Sequence, residues 1–258
     1  EAACGVAGEE TRSCECGETE TREIPALGHT EEVIPAVAAT CTETGLTEGK
    51  KCSVCGETLV AQEVIPALGH DFVNGECSHC DATSESSFED VKAGDFFFDP
   101  VEWAVENGIT NGSTETTFNP DGDLLRAQVV TMLWRHAGSP VVDIANPFTD
   151  VKEGEYYYDA VLWAYSEGIT AGTSATTFDP AGKTSRAQAV TFLWRYLGEP
   201  EADTENPFSD VDTNEWYGKA VAWAVANGVT EGMSENQFGV SINCNRAHMV
   251  TFLYRALA

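Results

Sequence analysis

The chain has 258 residues, 42% of them hydrophobic, and a formal net charge of −28 from 14 Lys and Arg against 42 Asp and Glu. So acidic a surface repels phosphate backbones and anionic lipid, which excludes nucleic-acid or membrane-surface binding through the overall field and leaves an anionic ligand only a local pocket. No apolar run approaches the ~20 residues of a membrane span, and the start at Glu1 without a signal peptide reads as a processed form or a fragment of a longer protein.

Residues 1–82 differ from the rest. They hold eight of the nine Cys, four basic against sixteen acidic residues, and one aromatic, Phe72; all six Trp lie at or beyond Trp103. Cys4, Cys14, Cys16 and His29 form one Cys-Cys-Cys-His set, and Cys41, Cys52, Cys55 and His70 form another. Both sets end in the same Ile-Pro-Ala-Leu-Gly-His tail, so residues 1–29 and 30–70 read as two copies of one unit, the first shortened. Cys and His suit tetrahedral zinc, and a closed four-ligand set is structural, not catalytic. With almost no aromatics to build a core, metal binding would supply most of the folding energy, and about two zinc ions are expected. Disulfides are the competing reading for a secreted chain. Three Cys and a terminal His per unit favour metal. Cys77-Ser-His-Cys80, in a half-knuckle and linker over 71–82, either borrows His70, binds nothing stably or forms a disulfide.

Beyond residue 82 the chain repeats every 60 residues. Phe88, Phe148 and Phe208 each open a Phe-x-Asp-Val motif; Trp103, Trp163 and Trp223, Gly108, Gly168 and Gly228, and Phe118, Phe178 and Phe238 follow in step. The units read as 83–142, 143–202 and 203–258. Each predicts two helices joined by a long loop. In the second unit, 159–167 has helical spacing and stops at Gly168, and the loop to Pro180 is rich in Gly, Thr and Pro. A second helix starts after Ser185, which forms a capping box with Gln188, and ends at Gly198-Glu-Pro200. One such pair cannot bury its own apolar stripe, so the copies should pack on one another.

The order Phe-x-Asp-Val, Trp-Ala, Gly-Ile-Thr-x-Gly, Thr-Phe-x-Pro, Arg-Ala-Gln resembles the S-layer homology family over residues 83–258. The resemblance implies a mainly α fold, three helix–loop–helix repeats in a pseudo-threefold spindle. It also implies a role: non-covalent docking of a secreted bacterial protein onto a secondary polysaccharide attached to cell-wall peptidoglycan. The front units resemble small zinc-ribbon repeats found beside such modules, making small metal-stabilised β or irregular ribbons. An anchored passenger would lie upstream of Glu1. The alternative is a cell-surface spacer or protein-interaction module that binds no glycan. The segment is expected to be an extracellular, cell-wall-bound monomer.

All six arginines beyond residue 82 sit at repeat-locked positions. Arg135, Arg195 and Arg255 near a helix C-terminus are favoured by its dipole and need no further reason. Arg126, Arg186 and Arg246 lie in a first turn, where the dipole disfavours a cation, so each needs a partner. One candidate is a salt bridge to Asp90, Asp150 or Asp210. The other is an exogenous carboxylate, which a guanidinium matches bidentately. The resemblance supports the second, because the equivalent arginine of the family contacts an acidic, commonly pyruvylated, amino sugar. Arg126, Arg186 and Arg246 are therefore assigned to glycan binding, with Asp90, Asp150 and Asp210 beside them. Trp103, Trp163 and Trp223 sit mid-helix and read as core. The aromatic clusters preceding those helices are candidates for sugar stacking, with Tyr157 and Trp216 named from them.

The family pattern has Thr before the arginine, whereas this chain has Leu125, Ser185 and Asn245, and His248 replaces Gln in the third unit. The second unit is thus the best candidate for a competent groove and the third the least. Cys244 reads as an unpaired thiol with no role. No nucleophile–base constellation, open metal site or phosphate-binding glycine loop is present, so the chain is not expected to be an enzyme.

Overall fold

The computed structural model describes residues 1–202 and 206–258, so the expected boundary at 202/203 falls beside residues outside the described set. The chain divides into two compact units: Glu1–Asp71 with Cys77–Ala82, and Phe72–Glu76 with Thr83–Ala258. Mainly helical architecture with small strand regions at the N-terminus is observed. The front ribbons expected over 1–29 and 30–70 lie inside a single unit. The expected linker is divided: 77–82 goes with the front, and 72–76 packs on the first repeat, where Asp99 accepts from the Asn74 amide at 2.8 Å.

The first unit is built from short strands. β1 (Gly8–Ser13) and β2 (Thr19–Ile24) form an antiparallel hairpin whose register sets Glu10 opposite Arg22 and Arg12 opposite Glu20. Opposite charges facing across a ladder stabilise a hairpin that has almost nothing to bury. β3 (Glu31–Ile34), β5 (Gly49–Cys52) and β6 (Thr58–Val60) make a three-stranded sheet in the order β3-β5-β6. β4 (Gly45–Leu46) pairs with β7 (Val64–Ile65). β8 (Phe72–Val73) and β9 (Glu76–Cys77) lie where the chain passes from one unit to the other. Among its described residues, this unit's buried apolar side chains are Cys41, Cys52 and Cys77.

Among its described residues, the second unit carries six helices: α1 (Phe98–Glu106), α2 (Arg126–His136), α3 (Tyr158–Ser166), α4 (Arg186–Tyr196), α5 (Gly218–Ala226) and α6 (Arg246–Leu257). α3 and α4 fall where the periodicity predicts them. Ser185 caps α4 by accepting from the Gln188 amide at 3.2 Å, and the Gln188 side-chain oxygen accepts from the Ser185 amide at 2.9 Å. The other copies each keep half of this box. Gln128 still accepts from the Leu125 amide, and Asn245 caps α6 through the His248 amide at 2.8 Å.

α2 packs on α3, α4 on α5, and α6 on α1, so each repeat's second helix covers the next repeat's first. The loops continue the cycle in hydrogen bonds. Leu124 donates to Cys244, Cys244 to Thr184 and Thr184 to Leu124, at 3.0, 2.8 and 2.8 Å. Arg126, Arg186 and Arg246 donate their amides to Gly182, Ile242 and Gly122, a second cycle that runs in the opposite sense. The third copy thus closes back on the first. The core is one cluster through all three repeats, with Phe118, Phe178 and Phe238 fully buried. Trp163 and Trp223 are buried and Trp103 packs against the core, so the mid-helix tryptophans are packing residues.

Candidate functional site

The three repeat-locked arginines lie where repeats meet. Arg126 Nε donates to the Phe178 carbonyl at 2.9 Å, Arg186 to that of Phe238 at 2.9 Å, and Arg246 to that of Phe118 at 2.7 Å. Each therefore reaches from its own helix start into the next repeat around the cycle. Their guanidinium carbons lie over aromatic rings: Phe178 and Phe192 for Arg126, Phe238 and Phe252 for Arg186, and Phe118 for Arg246, at 4.6–5.3 Å. Exposure is 5% for Arg126 and Arg246 and 1% for Arg186. Burial lowers the pKa of all three, and nearby acidic groups act against that shift.

The salt bridge considered above is not what the aspartates make. Asp90 accepts from the amides of Phe118 and Asn119, Asp150 from those of Phe178 and Asp179, and Asp210 from those of Phe238, Gly239 and Val240. Each carboxylate pins the loop of its own repeat, and so fixes the carbonyl that the neighbouring arginine grips. At Asp210 burial works against ionisation, yet the three amides win and lower the pKa.

Two grooves open beside these joints. One, of about 470 Å³, is lined by Arg126, Thr170, Gly172, Gln188, Arg195 and Trp216, so all three repeats contribute. The other, of about 220 Å³, is lined by the equivalent Arg246, Thr110, Gly112, Gln128, Arg135 and Tyr156. The floor comes from the Gly-Ile-Thr-x-Gly loop. Gly172 has φ +84°, and a Cβ there would stand 2.5 Å from the Thr177 carbonyl oxygen and 2.6 Å from the Phe148 ring, so only glycine lets the loop fold this tightly. Arg135 and Arg195 donate to the carbonyls of Ile109 and Ile169 while facing the grooves. At the third equivalent place Arg186 meets Thr230, and His248 replaces the glutamine with its ring against Phe96 and Phe252.

Sequence reasoning missed Arg135, Arg195, Gln128, Gln188 and the Thr-x-Gly floor as groove residues. The signal was helical spacing: 188, 191 and 195 share a face with one another. Tyr157 packs against the core, while Tyr156, 58% exposed, lines the smaller groove and Trp216, 52% exposed, lines the larger.

In the first unit six of the eight sequence-chosen ligands regroup, joined by Cys77 and Cys80. Cys4, His29, Cys52 and Cys55 come together, as do Cys41, His70, Cys77 and Cys80, with the donor atoms of each group within 4.8 Å of one another. Either group could hold a metal ion. Cys14 and Cys16 belong to neither group; they sit at the β1–β2 turn, joined to each other as a disulfide. Two residues of separation at a hairpin tip hold this pair to itself, whereas a Cys-x-x-Cys turn points both thiols one way. The lone half-knuckle Cys77–Cys80 is completed by His70 and Cys41. Amides of Cys55 and Val54 lower the Cys52 thiol to about 6, against burial; the His79 amide is the largest cause of the same shift at Cys77. Burial raises Cys4 and Cys41 to about 11. Cys244 is fully buried, and burial raises its thiol to about 12, which makes it inert.

A helical repeat protein whose grooves take residues from three successive copies is the class that this geometry defines. The S-layer homology domain matches residues 87–130, 147–190 and 207–250, about half of the chain, and the chain belongs to that family. An endoglucanase of Bacillus sp. (strain KSM-635) is 32% identical over 112 residues, 43% of this chain and 12% of that protein. The surface-layer 125 kDa protein of Lysinibacillus sphaericus is 33% identical over 138 residues, 53% of this chain and 12% of its own length. An S-layer protein of Bacillus thuringiensis subsp. finitimus is 23% identical over 175 residues, 67% of this chain and 21% of that protein. The chain thus spans about a fifth or less of these relatives. Among the described residues, no helix is long and apolar enough to cross a membrane.

Proposed function

We propose that this chain holds a bacterial surface protein on the cell wall, without a covalent bond, by binding an acidic secondary polysaccharide of the pyruvylated kind. The observation that carries this reading is the larger groove. There Arg126 and Arg195 face a cleft that also offers an exposed indole, Trp216, in a chain of net charge −28. In so acidic a molecule, two guanidinium groups in one cleft are a local site for a carboxylate, and an aromatic face stacks on a sugar ring. Among the described residues, the Arg126 guanidinium donates to the protein through its Nε, which leaves its terminal nitrogens for a ligand. Arg186 and Arg246 contribute to binding at the other two joints, each with one terminal nitrogen already donated to Thr230 or Thr110, and Asp90, Asp150 and Asp210 hold the loops in register.

In this reading the three repeats close as a pseudo-threefold spindle, supported by the cyclic hydrogen bonds of Leu124, Thr184 and Cys244. The chain works as a non-catalytic, extracellular attachment segment. Relatives named as an endoglucanase and as S-layer proteins share the same stretch, as a portable anchor would be shared. Zinc in the two Cys3His groups belongs to the same reading, as the structural support of a front unit with no other core.

The test is cosedimentation of the full chain with peptidoglycan sacculi, with and without their secondary polysaccharide, for wild type and an Arg195→Gln, Trp216→Ala variant. Binding is expected to need the polysaccharide and to fall at least tenfold in the variant. Equal binding to stripped sacculi, or by the variant, would reject the groove as the anchor.

A further inference from the structure

The eight ligands of the two Cys3His groups alternate along the chain. In order they are Cys4 and His29 of the first group, Cys41 of the second, Cys52 and Cys55 of the first, then His70, Cys77 and Cys80 of the second. We infer that these are two metal sites with interlocked ligand sets that close together as one module. This rests on the metal reading above and not on the glycan reading.

The distances select the chemistry. A tetrahedral zinc-type ion with arms of about 2.3 Å to sulfur and about 2.0–2.1 Å to nitrogen holds two sulfurs about 3.8 Å apart, and sulfur and nitrogen about 3.5 Å apart. Cys4 and Cys52 sulfurs are 3.9 Å apart, and those of Cys41 and Cys77 are 3.8 Å apart. Cys55 Sγ lies 3.5 Å from His29 Nδ1, and Cys80 Sγ lies 3.4 Å from His70 Nδ1. Four independent edges match such a tetrahedron, whereas a disulfide would bring two sulfurs to about 2.05 Å. His29 Nε2 stands 3.5 Å from Glu57 Oε2, the carboxylate-behind-histidine arrangement that orients a ligating ring. Each ion takes three thiolates and one neutral imidazole, three protons pass to solvent, and no electron moves. The ligand class is a soft or borderline divalent cation of tetrahedral preference, of which zinc is the common one.

The interlock follows from the strands. The Ser53 amide donates to the Thr30 carbonyl at 2.9 Å, and β3 pairs Glu31 with Cys52, which sets His29 beside the Cys52–Cys55 turn. The Leu68 and Gly69 amides donate to the Thr40 and Cys41 carbonyls at 2.9 and 3.0 Å, which sets His70 beside Cys41. The stretch from Cys41 to Cys52 therefore starts in one site and ends in the other. Gln62 fixes it midway, donating to the Thr47 and Pro35 carbonyls at 2.9 and 3.0 Å. Filling either site anchors one end of the segment that the other site needs.

The experiment is zinc-limited native mass spectrometry of the reduced full chain. Metal-free and two-zinc species are expected to dominate, and a predominant one-zinc species would overturn the single module. Cys14→Ser, Cys16→Ser is expected to keep both ions; a drop to one would restore consecutive ligand sets and overturn the interlock. Cys80→Ser is expected to lose metal, and its retention of two ions would overturn the second set. No zinc in the wild type would instead sink the metal reading on which the inference rests, and leave the glycan reading untouched.

Discussion

The two units of this chain are held by different physics. From residue 83 onward, one cluster of buried residues runs through three repeats, and arginines grip carbonyls at the joints. In the front unit three cysteines are the buried apolar side chains among its described residues, while Val33, Val54, Val64 and Leu68 lie exposed. A repeat that stacks on its neighbours obtains a core from the stacking itself. A strand unit this small, with exposed valines and almost no aromatics, must obtain its order from cross-links, and here eight donor atoms stand in two groups that could supply them.

The sharpest way to break this contrast is to remove a ligand. Cys52→Ala should unfold the front unit, since structural metal contributes on the order of 10 kcal/mol to such modules. Limited proteolysis should then cut within residues 1–71 and spare the helical repeats; resistance of 1–71 would show that the unit stands without its cluster. Next in size is the helical core. Phe178→Ala, at a fully buried position, should cost about 3–5 kcal/mol in the denaturation of the repeats. Val64→Ala, on an exposed strand of the front unit, should stay within about 0.5 kcal/mol.

A finer comparison separates the copies. Ser185→Ala removes a formed cap and should cost about 1 kcal/mol, whereas Leu125→Ala has no side-chain cap to lose. The smallest effect is one of pH. Burial holds the His248 imidazole below its ordinary range, with Arg186 adding to the shift and Asp121 opposing it. The folded state then binds the proton less readily than the unfolded one. That contribution to stability is present above about pH 6.5 and is lost as pH falls through the depressed value. His248→Gln should flatten the slope of melting temperature between about pH 5 and 6.5; an unchanged slope would place the titration elsewhere.

The repeat, its helices and the odd placement of Arg126, Arg186 and Arg246 could be read from the sequence, because spacing and cap chemistry are local. The grooves could not. Arg126 belongs to the first repeat, the loop at Gly172 to the second and Trp216 to the third, and only the closed cycle brings them together. That closure also sets which of the adjacent Tyr156 and Tyr157 lines a groove and which packs on the core, since that depends on the helix packed behind them. In the front unit the shared Leu-Gly-His tail pointed to consecutive ligand sets. A truer signal was present: His29 and His70 are each followed by Cys-x-x-Cys, at Cys52 and Cys77, which leaves the Cys14-Glu-Cys16 stretch as the odd member.

The division of labour between the units can be tested directly by hydrogen exchange of the full chain with and without a zinc chelator, with cosedimentation onto intact sacculi on the same samples. The account predicts faster exchange across residues 1–71 on chelation, unchanged protection in α1 through α6, and undiminished wall binding. Loss of wall binding with the repeats still protected, or a front unit whose exchange ignores the chelator, would contradict it.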